Sequence, residues 1–459
     1  MNAQERTLLR DLAQKVRELA AQPQMDDLRK SWYALNDGRP DRPLIVMKFH
    51  GVYSDVYPQP VCEDPLAREM EGAFLGLLTE AGWKDDRVIE PEFPVNLSFS
   101  FTPFGILVER KQALDAHGKP TMGYLSQHVI TDLEEDFHLL GKSTWNIEKE
   151  YAHKQALFAV ANEAFGDILT VKYRTPAPSY APATALVELM GMENMLLALC
   201  DAPEHFAKAL DMQTDDWLEF LSEIEARGLV VQNTDASYVG QDSYGYSRQL
   251  AEVGARQASF ADGWGYANSQ ETVGVSPQMF DAVFFPSIAR YAARFGLFAF
   301  GCCEPVHPLW ERSLSRLPNL RKVSVSPWCD EEAIAGSSAA RALCITANPR
   351  PTVSRRRNGT KKPCGHRSPR RRGPRAVARW KSPSGTSPPY MATQPGSARP
   401  WTLPAARRRK TGNPETGYSR GHNDALPGEW PYPWQAIHLG IACRTGSSAR
   451  RSSKVTRWP

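Results

Sequence analysis

The stretch RFGLFAFGCCEPVHPLW, residues 294–310, places two adjacent cysteines, Cys302 and Cys303, just ahead of Glu304 and His307. Thiolates are both nucleophiles and soft metal ligands. With Cys329 further along, Cys302, Cys303 and His307 form a candidate zinc set, because three sulfur or nitrogen ligands at roughly 2.3 Å suit that ion. The competing reading is two small buried apolar side chains on a strand that Pro305 ends. On a continuing strand neighbouring side chains point to opposite faces. The two thiols therefore share one site only if the strand has already ended before them.

A second polar stretch, SQETVGVSP, precedes it. Ser276-Pro277 reads as a helix N-cap followed by proline in the first turn. Ser269, Gln270 and Glu271 have no such structural use and read as substrate-contacting residues, with Glu271 a candidate catalytic carboxyl. Trp264 and Tyr266 are candidates for an aromatic wall beside them. Three further residues complete the set. His50 is a ligand or general acid/base, or simply a hydrogen-bonded strand-end histidine. Arg174 is a candidate anion partner. Asp235 orients a substrate hydroxyl or amine, or closes a turn.

These residues need elements to hold them. RPLIVMKFHG (42–51), PVNLSFSFTPFG (94–105), DILTVKYRT (167–175), GLVVQNTDASYVG (228–240), LFAFGCCE (297–304) and LRKVSVSPW (320–328) read as strands. Between several of them lie helical segments. Leu8, Leu9, Leu12, Val16 and Leu19 mark one helical face, and Pro203 separates two helices within 183–228. Apolar strands alternating with helices indicate parallel βαβ units, and a β/α barrel needs eight strands in about 250 residues. A doubly wound sheet is the alternative. In both, ligands sit at the carboxyl ends of strands, which is where His50, Arg174, Asp235 and Cys302–His307 fall.

The net charge of +4 over 459 residues hides two unlike halves. Residues 337–459 carry 25 Lys+Arg against 3 Asp+Glu, whereas residues 1–336 carry 30 against 48. Arg exceeds Lys 20 to 5 in the tail and only 18 to 12 before it. The tail reads in three ways: an out-of-frame translation of GC-rich DNA, a disordered linker, or a nucleic-acid-binding arm. The first implies that a barrel loses its last two strands, and that Cys344, Cys364, His366 and Cys443 have no role as ligands. No signal peptide and no apolar run of about 18 residues is expected. Eight cysteines without a framework suit a reducing cytoplasm.

The segments WGYANSQETVGVSPQMFDAVFFPSIARYAARFGLFAFGCCEPVHPLW and LPNLRKVSVSPWCDEEAIA resemble the uroporphyrinogen decarboxylase superfamily. LMGMENMLLALCDAPEHFAKAL is similar to its pattern of glycine, apolar helix and Asp-x-Pro-Glu. The resemblance covers about residues 5–336 and points to the branch related to corrinoid-dependent methyltransferases. It implies a TIM-like (β/α)8 barrel over 1–336, incomplete at its end, with a disordered basic tail over 337–459. The methyltransferase branch carries a His-x-Cys zinc pair after a strand. Cys303 matches the cysteine of that pair, Gly301 stands at the histidine, and the distal cysteine position would lie past residue 336. The Arg-rich turn and the second-strand aspartate of true decarboxylases are absent from VMKFHGVYSD and VNLSFSFTPFG. The resemblance therefore implies methyl transfer between a corrinoid-bearing partner and a thiol or small methylated substrate, with zinc as cofactor. The alternatives are decarboxylation of a tetrapyrrole or smaller acid, an inactive frameshifted product, and nucleic-acid binding through the tail.

Overall fold

The computed structural model describes residues 1–49, 56–114, 120–240, 243–336, 344–347 and 437–439. His50 and nearly all of the basic tail lie outside the described residues. The described chain is a mixed α/β fold with parallel strands. Its strands are β1 Met47–Phe49, β2 Glu92–Asn96, β3 Arg110–Leu114, β4 Pro120–Ser126, β5 Thr170–Arg174, β6 Ser179–Tyr180, β7 Trp264–Ala267, β8 Leu297–Phe300, β9 Leu320–Val325, β10 Cys344–Ala347 and β11 Ile437–Leu439.

Five strands form one sheet in the order β10-β9-β8-β7-β6, with every pairing parallel. β2 pairs in parallel with β5, from Glu92 opposite Thr170 to Asn96 opposite Arg174. β3 and β4 form an antiparallel hairpin, and β1 pairs antiparallel with β11. Among the described residues these pairings do not close a barrel.

The central sheet is buried on both faces, as parallel sheets are. One face of β7–β9 carries Ala267, Phe298, Phe300, Val323 and Val325 into the largest core. That core also takes Leu186, Leu189 and Met195 from helix Pro182–Asp201, Phe206, Leu210 and Phe220 from helix Pro203–Ala226, and Ile288 and Tyr291 from helix Phe285–Ala292. Trp264, Tyr266, Leu297 and Ala299 alternate with these and pack together on the other face, with Val239 and Ala177. A separate core joins helices Ala3–Ala20, Pro65–Ala81 and Ile147–Phe165 to Phe93 and Val95 of β2 and Val171 of β5.

Helix starts follow their sequence signals. Asn2 and Glu5 form a reciprocal capping box, and Asp64 caps the helix that Pro65 begins. Ser276 caps the turn opened by Pro277, as expected. Beyond it, Phe280–Phe284 is π-helical. Pro286 has no N–H to return to residue 282 and its ring crowds that carbonyl, so the wider turn just before it relieves the clash. Helix Pro182–Asp201 is long and apolar enough to cross a membrane by length and composition. Gly191, at φ 80°, interrupts it, and its Ala183, Leu186, Leu189, Met190 and Met195 are buried in the main core.

Two sequence expectations are corrected here. Residues 228–240 are not a strand. Val231 N–H goes to Thr175 Oγ1, and the Ser237 N–H goes to Asp235 Oδ1. The Asn233 side chain receives Trp264 N–H at 2.7 Å and donates to Trp264 C=O at 3.1 Å, so an amide side chain takes the place of a strand neighbour on β7. The sheet also does not stop at residue 336. β10 lies past that point and pairs in parallel with β9, Ile345 opposite Val323. It covers the open hydrogen-bonding edge that β9 would otherwise present.

Candidate active site

β7 and β8 end side by side, and their tips build one polar cluster. β8 ends at Phe300, and Gly301 follows with φ +102°. A side chain there would be strained, and its Cβ would come within 3.0 Å of Ser324 C=O. The turn takes Cys302 and Cys303 off the strand before their side chains can alternate. Their sulfurs lie 3.5 Å apart, both half-buried. The condition under which the two thiols share a site is therefore met.

Glu304 fixes this turn. Its side chain is 1% exposed, its Oε2 accepts Cys302 N–H at 2.9 Å, and its Oε1 accepts Ser269 N–H at 2.9 Å. One carboxylate thus ties the tip of β8 to the tip of β7. Glu271 stands in the short 3-10 turn Gln270–Thr272 that follows β7. Its Oε1 accepts from Thr184 Oγ1 at 2.7 Å and from Gln270 Nε2 at 3.2 Å, while its buried Oε2 has no partner. Ser269 is fully buried, with its hydroxyl against Thr272 Oγ1 at 3.1 Å.

The electrostatics divide the cluster. The Cys302 thiol hydrogen-bonds to Cys303 and holds the Cys303 thiol below its ordinary range, against burial and the charges of Glu304 and Glu271. Cys303 is thereby more readily ionised than an ordinary cysteine thiol. Burial pushes both Glu271 and Glu304 above the usual carboxylate range, with Glu188 adding to the first and Glu271 to the second. A carboxyl raised in the folded state holds a proton that the unfolded chain has released. Stability from such groups is greatest below the ordinary value of 4.5 and declines as pH rises through the higher folded value. Glu271→Gln removes one of them. Urea unfolding at acid and neutral pH is expected to show a shallower loss of stability with rising pH in the variant than in the parent. Equal slopes would place the proton elsewhere.

The other sequence candidates lie apart from this cluster. Arg174 and Asp235 meet each other instead, at 3.7 Å, in a network with Lys172 and Glu92. Burial opposes the Asp235 charge, but Arg174, the Ser237 hydroxyl and Lys172 outweigh it and hold its carboxyl below the usual range. Arg174 thus donates to Glu92 at 2.9 Å and faces Asp235 at 3.7 Å, while its buried Nε has no hydrogen-bond partner. Trp264 is not a wall of the site: it is fully buried, with its indole N–H on Gly245 C=O at 2.8 Å and the Lys322 ammonium 4.8 Å from its ring centre. Tyr266 is 7% exposed and reaches the site through its hydroxyl, which donates to Gly301 C=O at 3.0 Å.

Nor do the four expected metal ligands converge. His307 Nδ1 accepts the Asp330 N–H at 3.1 Å. Burial raises the Cys329 thiol, offset by the backbone N–H groups of His307 and Val306 that face it. These two residues thus pair with one another's surroundings, whereas Cys302 and Cys303 face Glu271 and Glu304. A catalytic zinc takes three protein ligands. The 3.5 Å sulfur separation is close to the roughly 3.8 Å expected of two tetrahedral ligands at about 2.3 Å. Among the described residues, however, no group of three His, Cys, Asp or Glu side chains gathers to hold an ion. The donor set as placed therefore does not fit zinc.

Sequence reasoning named the two cysteines, Ser269, Gln270 and Glu271, and the structure brings them together. It did not name Thr184, nor Asn268 and Ser326, whose buried side-chain oxygens just past the ends of β7 and β9 have no partner. Asn268 had a signal, since it continues the alternation of Trp264 and Tyr266 past the end of β7. Thr184 had none, because only packing places the start of helix Pro182–Asp201 against Glu271.

No family model matches this chain, and no curated protein does. A methyltransferase from Methanosarcina mazei is similar in structure at 13% identity and a TM-score of 0.41, over 71% of this chain and 84% of its own.

Proposed function

We propose that this protein is a methyltransferase, a β/α-barrel enzyme of the uroporphyrinogen decarboxylase type, that uses the Cys303 thiolate as its nucleophile. The observation that carries this is the Cys302–Cys303 pair on the Gly301 turn at the strand tips, with the Cys303 thiol held below its ordinary range by Cys302. The sequence resemblance around the same residues supports a methyl group as what is moved and a corrinoid-bearing protein, met in the cytoplasm, as the donor. In the step proposed, a lone pair on Cys303 Sγ attacks the methyl carbon. The new S–C bond forms as the bond from that carbon to its carrier breaks, and the bonding electron pair stays with the carrier. A low-pKa thiolate is both a competent nucleophile and a workable leaving group for onward transfer.

Decarboxylation is less well supported. It needs cationic groups free for substrate carboxylates, and Arg174 and Lys172 are already engaged by Glu92 and Asp235.

The test uses methylcobalamin as a stand-in donor under anoxic conditions. Incubation of the full chain is expected to release reduced cobalamin, followed by its absorbance, and to leave a methyl group on the peptide containing Cys303, read by mass spectrometry. Cys303→Ser is expected to lower the rate by more than about 10²-fold, because a serine hydroxyl stays protonated at neutral pH. Cys302→Ala is expected to retain transfer but shift its pH dependence upward, as the Cys303 sulfur loses its hydrogen-bond donor. Methylation at another residue, or an unaltered rate in Cys303→Ser, sinks this reading.

A further inference from the structure

Four buried side-chain oxygens at the tips of β7 and β9 have no partner: Asn268 Oδ1, Glu271 Oε2 and Ser326 Oγ on buried residues, and Gln270 Oε1 on a half-buried one. Asn268 is 9% exposed, Glu271 5% and Ser326 1%. Buried polar atoms are nearly always satisfied, and each orphan costs about 1–3 kcal/mol. A cluster of orphans at the carboxyl ends of parallel strands, where such sheets bind ligands, marks a ligand whose atoms complete them.

The strand period sets their direction. Asn268 follows Trp264 and Tyr266 at steps of two, and Ser326 follows Lys322 and Ser324 in the same way, so Asn268 and Ser326 continue the rows on the sheet face opposite the largest core. Gln270 and Glu271 sit in the turn directly after Asn268, and Glu271 lies within electrostatic reach of Cys303. Three of the four orphans are carbonyl or carboxylate oxygens, which only accept, and the fourth is a hydroxyl. Their complement is a donor-rich group with positive charge.

We propose that this cluster binds the protonated amine of a small substrate, its N–H groups received by Asn268 Oδ1, Gln270 Oε1 and Glu271 Oε2 beside Cys303. The proposal deepens the methyl-transfer reading, on which it rests for calling the ligand a substrate. It names the recognised group as an ammonium rather than a carboxylate or sulfonate. An anionic ligand would face three acceptor oxygens and a single hydroxyl donor, Ser326 Oγ, there. A quaternary ammonium brings charge without N–H groups and leaves the oxygens unsatisfied. Burial raises the Glu271 carboxyl above the usual range, and a cation beside Oε2 favours its ionised form.

The experiment is saturation-transfer NMR on the full chain with three probes of similar size: ethylammonium, tetramethylammonium and propionate. Ethylammonium is expected to bind, tetramethylammonium to bind at least ten-fold more weakly, and propionate not at all. Glu271→Gln keeps the shape and removes the charge, and is expected to weaken ethylammonium at least ten-fold. Gln270→Glu, at a half-exposed position, is expected to tighten it several-fold. Calorimetry in two buffers of different ionisation enthalpy is expected to show proton release on binding by the parent and none by Glu271→Gln. Propionate binding, equal affinity for tetramethylammonium, or ethylammonium binding unchanged in both variants overturns the proposal. If Glu271→Gln fails to fold, the Gln270→Glu affinity decides. Loss of methyl transfer in Cys303→Ser with no ethylammonium binding sinks this inference alone. Ethylammonium binding without any methyl transfer sinks the catalytic reading and leaves a cation site.

Discussion

Glu304→Ala is expected to destabilise the protein by about 3–5 kcal/mol and to abolish thiol-dependent transfer. The Glu304 carboxylate is the partner of two N–H groups, that of fully buried Ser269 and that of half-buried Cys302, both at 2.9 Å. Removing it orphans both donors at once, and each orphan costs about 1–3 kcal/mol. Water cannot easily repair the loss, since Glu304 is 1% exposed and Ser269 fully buried. The same change frees the turn that holds the two sulfurs together. Urea unfolding measures the first effect. Thiol labelling measures the second: both cysteines are expected to react faster with an aromatic disulfide reagent. Glu304→Gln keeps one acceptor but turns an N–H₂ toward the other N–H, so it is expected to fall between parent and alanine. A cost below about 1 kcal/mol for Glu304→Ala, with unchanged labelling, would mean the two strand tips are tied by something else.

Trp264→Ala is expected to cost about 4–5 kcal/mol, near the top of the range for a large core aromatic. The indole is fully buried at the start of β7, amid Val239, Tyr266, Leu297 and Ala299. Its loss leaves a cavity, orphans Gly245 C=O, and strips the Lys322 ammonium of an aromatic face 4.8 Å away. Lys322 is itself 2% exposed and held by Ser243 Oγ at 3.1 Å and Tyr244 C=O. A buried ammonium that loses part of its surroundings is expensive. Trp264→Phe is expected to cost less, because the ring still fills most of the space and only the indole N–H bond is lost. If Trp264 instead lined the substrate site, Trp264→Ala would lower activity with little change in the unfolding midpoint. Denaturant titration alongside the methylcobalamin assay separates the two.

Both effects depend on features that differ in how far they can be read from residues alone. Trp264 illustrates the difficulty. WGYA is too short to announce a strand by periodicity, and a tryptophan near a polar loop looks like a binding wall. Its ring is buried among Val239, Tyr266, Leu297 and Ala299, and Asn233 pairs both of its backbone groups from a segment that has the composition of a strand but does not form one. A side-chain amide standing in for a backbone neighbour leaves no period in the sequence. Arg174 and Asp235 show the same limit. Each has the right chemistry for a substrate, but their charges satisfy one another and Lys172 and Glu92 across strands far apart in the chain.

By itself the sequence determined the α/β class, the helix pair divided at Pro203, and the strand-end position of the cysteines. These follow from local causes: apolar period, proline at a helix start, and glycine beside a short apolar run. Only the tertiary structure decided which chemical groups meet. It placed Cys302 and Cys303 with Glu271 and Glu304, sent His307 and Cys329 elsewhere, continued the sheet into β10, and left four polar oxygens unpaired at the strand tips. Those outcomes rest on contacts between residues distant along the chain, where burial and competing partners, rather than residue type, select the pair.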